Sequence, residues 1–512
     1  MTEPPVEIIA EPPRSPLALR IGALAAVWGI LAAIVYFRAG LTLSHYDARG
    51  HLVVARRVID NLTPGWLQIG AVWLPLPHLL NMLPVQVDVL YRTGASGVAI
   101  SIASFGLLAY SAARLVMSST GSGLAAAVAG VLVVSNPNLL YLQSTPMTEP
   151  LLLGLCALGL VLLYEGLAAR NEKRMCAAFV ALALACLTRY EAWPITGAAI
   201  VAVALAEWRR HARPIAAIVT ATRLALIPLV AILWFFVHSK ATVGAWFVTG
   251  GFYVPDPMYE GKIATSLGAV WWGIRQLGSE TLARAGFVSV VGLTVLWFLR
   301  RREAPLVVTL AWLGAMALPW YAFYEGHPLR IRYMVPSVTA AAVLTGIALG
   351  KLPRSWRGPV AVLLLAGVWW QTRPFDDHAA MVLEAQWDRP RSAARRDVTR
   401  CMPEPGHGDL VMASMGSLAH YMQELSASGY ELRDFLHEGN GALWIAALNG
   451  PERYVRWMLI EEVAEGGDML AERARENPRF LSGFTRVCEG GGVALYRSNA
   501  KVSAKLEVRS AK

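Results

Sequence analysis

The sequence predicts a mainly α-helical polytopic membrane protein with a small C-terminal α/β domain, and three observations lead there. Hydrophobic residues make up 55% of the 512 and charged residues only 16%, with a mean hydropathy of +0.44, against about 25% charged in soluble domains. Apolar stretches of the length that crosses a bilayer core recur down the chain. The Lys and Arg residues behind the net charge of +10 fall in short clusters between those stretches. Such a composition excludes a disordered chain, a coiled coil and most soluble enzymes. The clustering accounts for the basic charge without any nucleic-acid partner. The 18 tryptophans fit aromatic belts at the bilayer interfaces.

About eleven spans are predicted, at 17–37, 95–117, 122–142, 147–168, 174–188, 193–208, 215–238, 284–300, 304–322, 333–350 and 358–371. Met1 to Pro16 is acidic and proline-rich, and no small-residue cleavage pattern follows it, so the first apolar run is read as a retained helix. Every second connection is basic: Arg14 and Arg20; Arg114; Arg170, Lys173 and Arg174; Arg209, Arg210 and Arg213; Arg300, Arg301 and Arg302; Lys351, Arg354 and Arg357. The 135–149 connection has neither Lys nor Arg. This alternation puts the N-terminus in the cytoplasm and, with an odd span count, residues 372–512 outside.

The expected division is a membrane domain over 1–371 and a soluble outer domain over 372–512. Two outer segments of the membrane domain exceed simple turns. Residues 38–94 hold an amphipathic helix (Ala48 to Ile59) and the aromatic, proline-studded Trp66–Pro84. Residues 239–283 hold a Gly/aromatic loop and a helix-like Ile263–Leu282, expected to lie in the interface. No internal repeat supports an inverted-repeat transporter. In the tail, Asp409–Ser414, Arg453–Ile460 and Gly491–Tyr496 read as strands, and Met415–Ser426 and Gly466–Asn477 as helices. Cys156, Cys176 and Cys186 lie in apolar stretches, where a thiol acts as a small hydrophobe. Cys401 and Cys488 lie in the tail, where an oxidising compartment would let them pair for ~4 kcal/mol on the loop-entropy model. The alternative is two free thiols.

Overlaying this topology on the ionisable residues gathers four polar groups on the outer face. They are His45-Tyr46-Asp47 after the first span, Thr145–Pro150 with Glu149 at the head of the fourth, Arg189-Tyr190-Glu191 between the fifth and sixth, and Glu325–His327 with Arg330–Tyr333 at the head of the tenth. Charged groups close to hydrocarbon are costly and face a cavity or a partner. Each has a bland explanation as well. Asp47 could cap a helix starting at Ala48, and Glu149 gains from the helix dipole. Arg189 and Glu191 could be an ion pair or interfacial anchors, and Arg330 and Arg332 could hold lipid head groups. His45, His51, His78 and His327 are individually ordinary structural histidines, and no His-Glu-x-x-His spacing occurs. The conjunction of the four groups, rather than any one, marks a candidate site. Asn61-Leu62-Thr63 matches a glycosylation sequon, but Pro64 follows it and the pattern is common by chance.

At these residues the sequence resembles the GT-C superfamily of polytopic glycosyltransferases, which includes protein O-mannosyltransferases and aminoarabinose transferases. The landmarks run in order: an acid after the first span (Tyr46-Asp47-Ala48-Arg49-Gly50-His51) and a Pro-x-Pro segment in the same loop (Trp73-Leu74-Pro75-Leu76-Pro77-His78). Then come Met147-Thr148-Glu149-Pro150, Thr188-Arg189-Tyr190-Glu191 and Arg332-Tyr333-Met334-Val335-Pro336. The likeness is greatest to the bacterial family-39-like branch and covers roughly residues 17–371. Two departures stand out: Ala48 follows Asp47 where the family often has a second acid, and no Trp-Trp-Asp-Tyr-Gly motif of oligosaccharyltransferases occurs.

The resemblance implies an inverting transfer of a sugar from a polyprenyl-phosphate donor to an acceptor hydroxyl on a lipid, polysaccharide or protein. It implies Asp47 as general base and Arg332, with Arg330 or Arg189, on the departing phosphate. Glu149 would position sugar or acceptor, or share a divalent metal ion, the one cofactor implied, with Asp47. Glu191, His327, Tyr333 and His78 complete the expected substrate-binding set. The polyprenyl tail would lie among the spans and membrane lipids, with 239–283 as gate, in a bacterial inner membrane with its active face in the periplasm. A transporter or flippase and a lipid-diphosphate-dependent ligase stand as alternatives.

Overall fold

The computed structural model describes residues 16–211, 214–248, 254–405, 409–463 and 468–500. Arg14 and Arg213 of the basic pattern, residues 249–253 of the Gly/aromatic loop and Gly466 of an expected helix lie outside them. The chain forms two compact units. One draws on the described parts of Met1–Ala39, Val98–His238 and Pro255–Leu383, the other on those of Gly40–Gly97, Ser239–Val254 and Glu384–Lys512.

Helices occupy each of the expected spans of the first unit, as a multi-pass membrane protein requires when lipid offers the backbone no partner. Among the described residues seven helical stretches are long and apolar enough to cross a membrane: Pro16–Arg38, Ala95–Thr120, Glu149–Ala169, Pro214–Val243, Glu280–Leu299, Glu303–Tyr324 and Ile331–Lys351. The other expected spans are shorter or more polar helices, so the count of eleven is not reproduced. The 122–142 stretch is two helices, Gly123–Val134 and Pro137–Leu142. It breaks because Asn136 caps the second, accepting from the amides of Asn138 and Leu139, and Pro137 takes the first helical position. The stretch expected as an α-helix over 304–322 begins as a long 3₁₀ run, Arg301–Met316, and becomes α-helical at Ala317–Tyr324. Within it a Cβ on Gly314 would lie 2.4 Å from the Pro194 carbonyl oxygen, so only glycine permits that backbone approach.

Burial ranks these helices. The apolar windows of Glu149–Ala169 and Ile331–Lys351 are 83% and 89% buried, those of Pro214–Val243 and Pro16–Arg38 only 22% and 28%. The peripheral helices offer side chains such as Leu19, Leu24, Val230 and Val237 outward, as lipid-facing helices must. The two wrapped helices are the ones headed by Glu149 and preceded by Arg330. Helix Ile263–Gly278 buries Ser266, Ala269, Val270, Gly273, Ile274 and Leu277 on one stripe and exposes Ile263, Leu267, Trp271 and Trp272. It stops short of the expected Leu282 because Ser279, at φ 81°, breaks it and caps the next helix.

The second unit is a five-stranded mixed sheet with helices on both faces. Strands β1 (Val411–Ala413), β2 (Phe435–Leu436), β3 (Trp457–Glu461), β4 (Phe484–Gly490) and β5 (Val493–Ser498) lie in the order β2-β1-β3-β5-β4. β1 is parallel to β2 and β3, while β5 is antiparallel to β3 and β4. The period-2 alternation of side chains splits the core. Val411, Ala413, Trp457, Leu459, Val493 and Leu495 pack on one face, and Met412, Met458, Ile460, Ala494 and Tyr496 on the other. The third tail strand starts at Trp457 rather than Arg453, because Pro451–Arg453 forms a 3₁₀ turn.

The helix expected at Ala48–Ile59 spans Tyr46–Arg56 and is buried from Asp47 to Arg56 rather than amphipathic at a surface. Leu52, Val53 and Ala55 join the core of the tail's sheet. Its arginines are paired instead of solvated: Arg56 Nε and Nη2 donate to Asp60 (2.9 Å) and Asp88 (2.8 Å). Asp60 in turn accepts from the amides of Leu432 and Arg433, both at 3.1 Å. Asn61 is buried; its Oδ1 accepts from Thr63 N–H (3.1 Å) and Asn440 Nδ2 (2.7 Å), so the sequon is a turn locked inside the unit.

Cys401 and Cys488 are disulfide-bonded across 87 residues, which selects the paired alternative; Cys156, Cys176 and Cys186 are free thiols. Replacing Cys488 by Ser is expected to destabilise this unit by about 4–5 kcal/mol on the loop-entropy model. Proteolysis across a urea series would read it as earlier cleavage within 384–500, and an unchanged midpoint would show that the bond contributes nothing.

Candidate functional site

In the first unit the site grows from the ends of two helices. Glu149 and Pro150 open the Glu149–Ala169 helix, where proline fits the first turn and the carboxylate meets the positive end of the dipole. The Glu172–Cys186 helix closes at Leu187, and Thr188–Glu191 connects it to the next. Arg189 is the centre. Its Nη2 and Nε donate to Glu191 Oε1 at 2.7 and 3.0 Å, and its Nη1 donates to Thr148 Oγ1 at 3.1 Å. The same Nη1 lies 3.0 Å from Glu149 Oε1.

Glu149 and Glu191 are 0% and 2% exposed. Neither oxygen of Glu149 accepts an aligned hydrogen bond from the described residues. Its ion pair with Arg189 therefore holds it by charge. Burial disfavours the Arg189 cation, but Glu149 and Glu191 outweigh it and raise its proton affinity, against an opposing contribution from Arg332. Two carboxylates and two guanidiniums thus share one electrostatic neighbourhood.

The connection before the Val335–Lys351 helix carries the rest of this set. Its His327 Nδ1 donates to the Pro328 carbonyl at 2.7 Å, and its Nε2 is 3.3 Å from Tyr333 Oη. With Nδ1 carrying the proton, Nε2 accepts from the phenol. Burial first, then Arg330 and Arg332, lower the His327 pKa, so the ring is neutral at pH 7. The Arg332 guanidinium lies 5.9 Å from the Tyr333 ring centroid.

Asp47 and His78 belong to the second unit. Asp47 is 9% exposed and sits in the first turn of Tyr46–Arg56. It is not the cap that it could have been. His45 takes that role, its Nδ1 accepting from Asp47 N–H at 3.0 Å, while its Nε2 is 3.3 Å from Glu384 Oε1. Tyr46 donates to the Gly416 carbonyl at 2.5 Å and packs its ring 4.7 Å from that of His420. Behind them a charged network joins Arg395 to Asp388 and, at 2.8 Å, to Glu461, with His420 Nδ1 3.3 Å from Asp388. Asp388 is held below the usual carboxylate range: burial opposes this, and the His420 and Arg395 hydrogen bonds overcome it.

His78 is 1% exposed, with its Nε2 3.0 Å from His51 Nδ1 and its ring stacked toward Trp73. Burial and then Arg57 push its pKa down to about 3, so it is neutral. Among the described residues no group of three His, Cys, Asp or Glu side chains is placed to hold a metal ion. Glu149 is paired with Arg189.

The structure thus brings together Glu149, Arg189, Glu191 and Arg332, and separately His327 with Tyr333. Sequence reasoning passed over Thr148, although Met147-Thr148-Glu149-Pro150 contains it, and Glu384, whose partner His45 is 339 residues away.

No protein-family model and no curated protein matches the chain. Its fold is similar to that of ArnT from Cupriavidus metallidurans in two crystal structures. In that bound to undecaprenyl phosphate the identity is 14% and the TM-score 0.54, over 94% of this chain and 99% of that one. In the apo state the values are 14% and 0.55, over 92% and 97%. An oligosaccharyltransferase of Archaeoglobus fulgidus, tethered to an acceptor peptide, aligns at 12% identity and a TM-score of 0.48, over 90% of this chain and 72% of that one. At such identities the likeness is one of fold alone, and the helical membrane architecture with a small C-terminal sheet expected from the sequence is the one found.

Proposed function

We propose that the protein is a membrane glycosyltransferase that moves a sugar from a polyprenyl phosphate to an acceptor hydroxyl in a single inverting displacement. The reaction would take place at the periplasmic face of a bacterial inner membrane, with the N-terminus cytoplasmic and residues 372–512 outside. The observation that carries the reading is the buried Glu149–Arg189–Glu191 cluster with Arg332 beside it, at the ends of the two most enclosed helices. Fixed guanidiniums in a dry site are suited to the charge that develops on a departing phosphate. A bound undecaprenyl phosphate in a structure of the same fold supports that ligand class.

In this reading Asp47 removes the acceptor's proton, Arg332 with Arg330 or Arg189 takes the phosphate, and Glu149 orients the sugar or acceptor. Glu191 fixes Arg189; neutral His327 and Tyr333 offer hydrogen bonds; His78 supports the first outer loop. The test is release of free polyprenyl phosphate, followed by mass spectrometry, from a panel of polyprenyl-phosphate sugars with membrane extract as acceptor source. Release by the wild type names the sugar. No release by folded protein from any donor overturns the reading.

Arg332→Ala is expected to raise the donor KM about ten- to a hundredfold, the worth of a lost charge-assisted hydrogen bond, with a smaller effect on kcat. A variant that loses only thermal stability would remove Arg332 from the phosphate.

A further inference from the structure

Within the first unit a cavity shares no lining residue with the cluster of acids and arginines. It measures about 400 Å³ and opens where the Ile263–Gly278 and Glu280–Leu299 helices meet the chain leaving Arg354–Gln371, and Asn138 contributes one wall. The volume falls in the range of small-molecule pockets. Asn138 comes from the 135–149 connection, the one that also carries Glu149.

The wall is built to stay in place. Asn138 is 2% exposed and engaged at both ends of its amide: its Nδ2 donates to the Leu277 carbonyl at 2.9 Å and its Oδ1 accepts from Met381 N–H at 2.8 Å. Ser279 holds a left-handed backbone at φ 81°, and its hydroxyl accepts from Leu282 N–H. Gln371 Oε1 accepts from Thr281 N–H at 3.0 Å, which leaves its NH₂ to donate elsewhere.

The chemistry of the lining narrows the ligand. Its one cation besides a histidine, Arg275, is 3.2 Å from Glu280, and Asp376 adds a second carboxylate. Glu280 also accepts from Arg284 Nε at 2.6 Å, so both guanidiniums are tied to a carboxylate, and an anion such as a phosphate, which would also face Asp376, is disfavoured. What remains is the side-chain amides of Gln276 and Gln371, the Asp376 carboxylate and the indole of Trp272, which is 39% exposed. Amides and a carboxylate accept and donate to neighbouring hydroxyls, and an indole face covers the apolar side of a sugar ring.

We propose that this cavity is a carbohydrate subsite that takes a neutral sugar ring. On the glycosyltransferase reading above, that ring belongs to the acceptor, which makes the acceptor a saccharide-bearing molecule.

The test is saturation-transfer NMR on the full-length protein in lipid nanodiscs with the methyl glycosides of glucose, galactose and mannose, with inorganic phosphate as competitor. Ring-proton saturation is expected from at least one glycoside, undisturbed by phosphate. Trp272→Ala and Gln276→Leu, both at exposed positions and so compatible with folding, should each weaken it about five- to tenfold, as loss of one stacking or hydrogen-bonding contact does. Displacement by phosphate, no transfer from any glycoside, or transfer unchanged in both variants would overturn the proposal. Glycoside binding without polyprenyl phosphate release would sink the glycosyltransferase reading and leave the subsite. Release without glycoside binding would do the reverse.

Discussion

Asp47→Asn is expected to lower sugar transfer by roughly 10²–10⁴-fold, the contribution of a positioned general base, while the protein unfolds at nearly the wild-type temperature. The two effects separate because asparagine is isosteric with aspartate and the helix does not take its cap from this side chain. His45, not Asp47, caps the Tyr46–Arg56 helix. The dipole contribution of a carboxylate in the first turn is about 0.3–1 kcal/mol. Asparagine keeps the shape of a side chain that is 9% exposed, so it tests charge and basicity rather than packing. The measurement is polyprenyl phosphate release beside a thermal melt. An active Asp47→Asn protein would remove Asp47 as the base. An inactive one that also melts early would assign the residue to the charged network around Tyr46 and His420 instead.

The sequence made the membrane part of this fold legible because its signals are local. Twenty apolar residues in a row have few alternatives to a helix in a bilayer, and every predicted span is helical. The interruptions were harder to see. Asn136-Pro137 is a helix start inside an apolar run, and nothing around it is polar enough to announce one. In the tail, apolar β1, β3 and β5 were readable. β2 has two residues, and β4 exposes or half-exposes every side chain but Phe484, so neither shows an alternation.

Least legible was the association of distant segments. Nothing in Tyr46–Arg56 says that its aliphatic side chains will be buried against residues 411–495. Those pairings join positions hundreds apart, as Asp60 with Leu432 does across 372. The site followed the same rule. Arg189 and Glu191 are two residues apart and their pairing could be guessed. Glu149 came into view only because the basic residues of the loops fixed which helix ends face the same way. The cavity beside Trp272 escaped altogether, since Gln276 and Asp376 are ordinary polar residues until the fold assembles them.

Arg189→Leu should be the most destabilising single change in the first unit. Arg189 is the ion-pair partner of two carboxylates that are 0% and 2% exposed. Removing one partner of a buried pair typically costs about 3–5 kcal/mol, because the uncompensated charge stays behind. Neutralising the acids as well, in the Arg189→Leu, Glu149→Gln, Glu191→Gln protein, should recover most of that stability, since the penalty belongs to the stranded charges. Unfolding by SDS titration in mixed micelles would read both. A single variant as stable as wild type would mean that the acids are not held by Arg189. Arg189→Lys then separates folding from donor recognition. It keeps the positive charge but gives up the planar fork that reaches Glu191 through two nitrogens. If Arg189 also reaches the phosphate, the lysine variant should fold yet show a raised donor KM, and a lysine variant with wild-type kinetics would confine Arg189 to holding Glu149 and Glu191 in place.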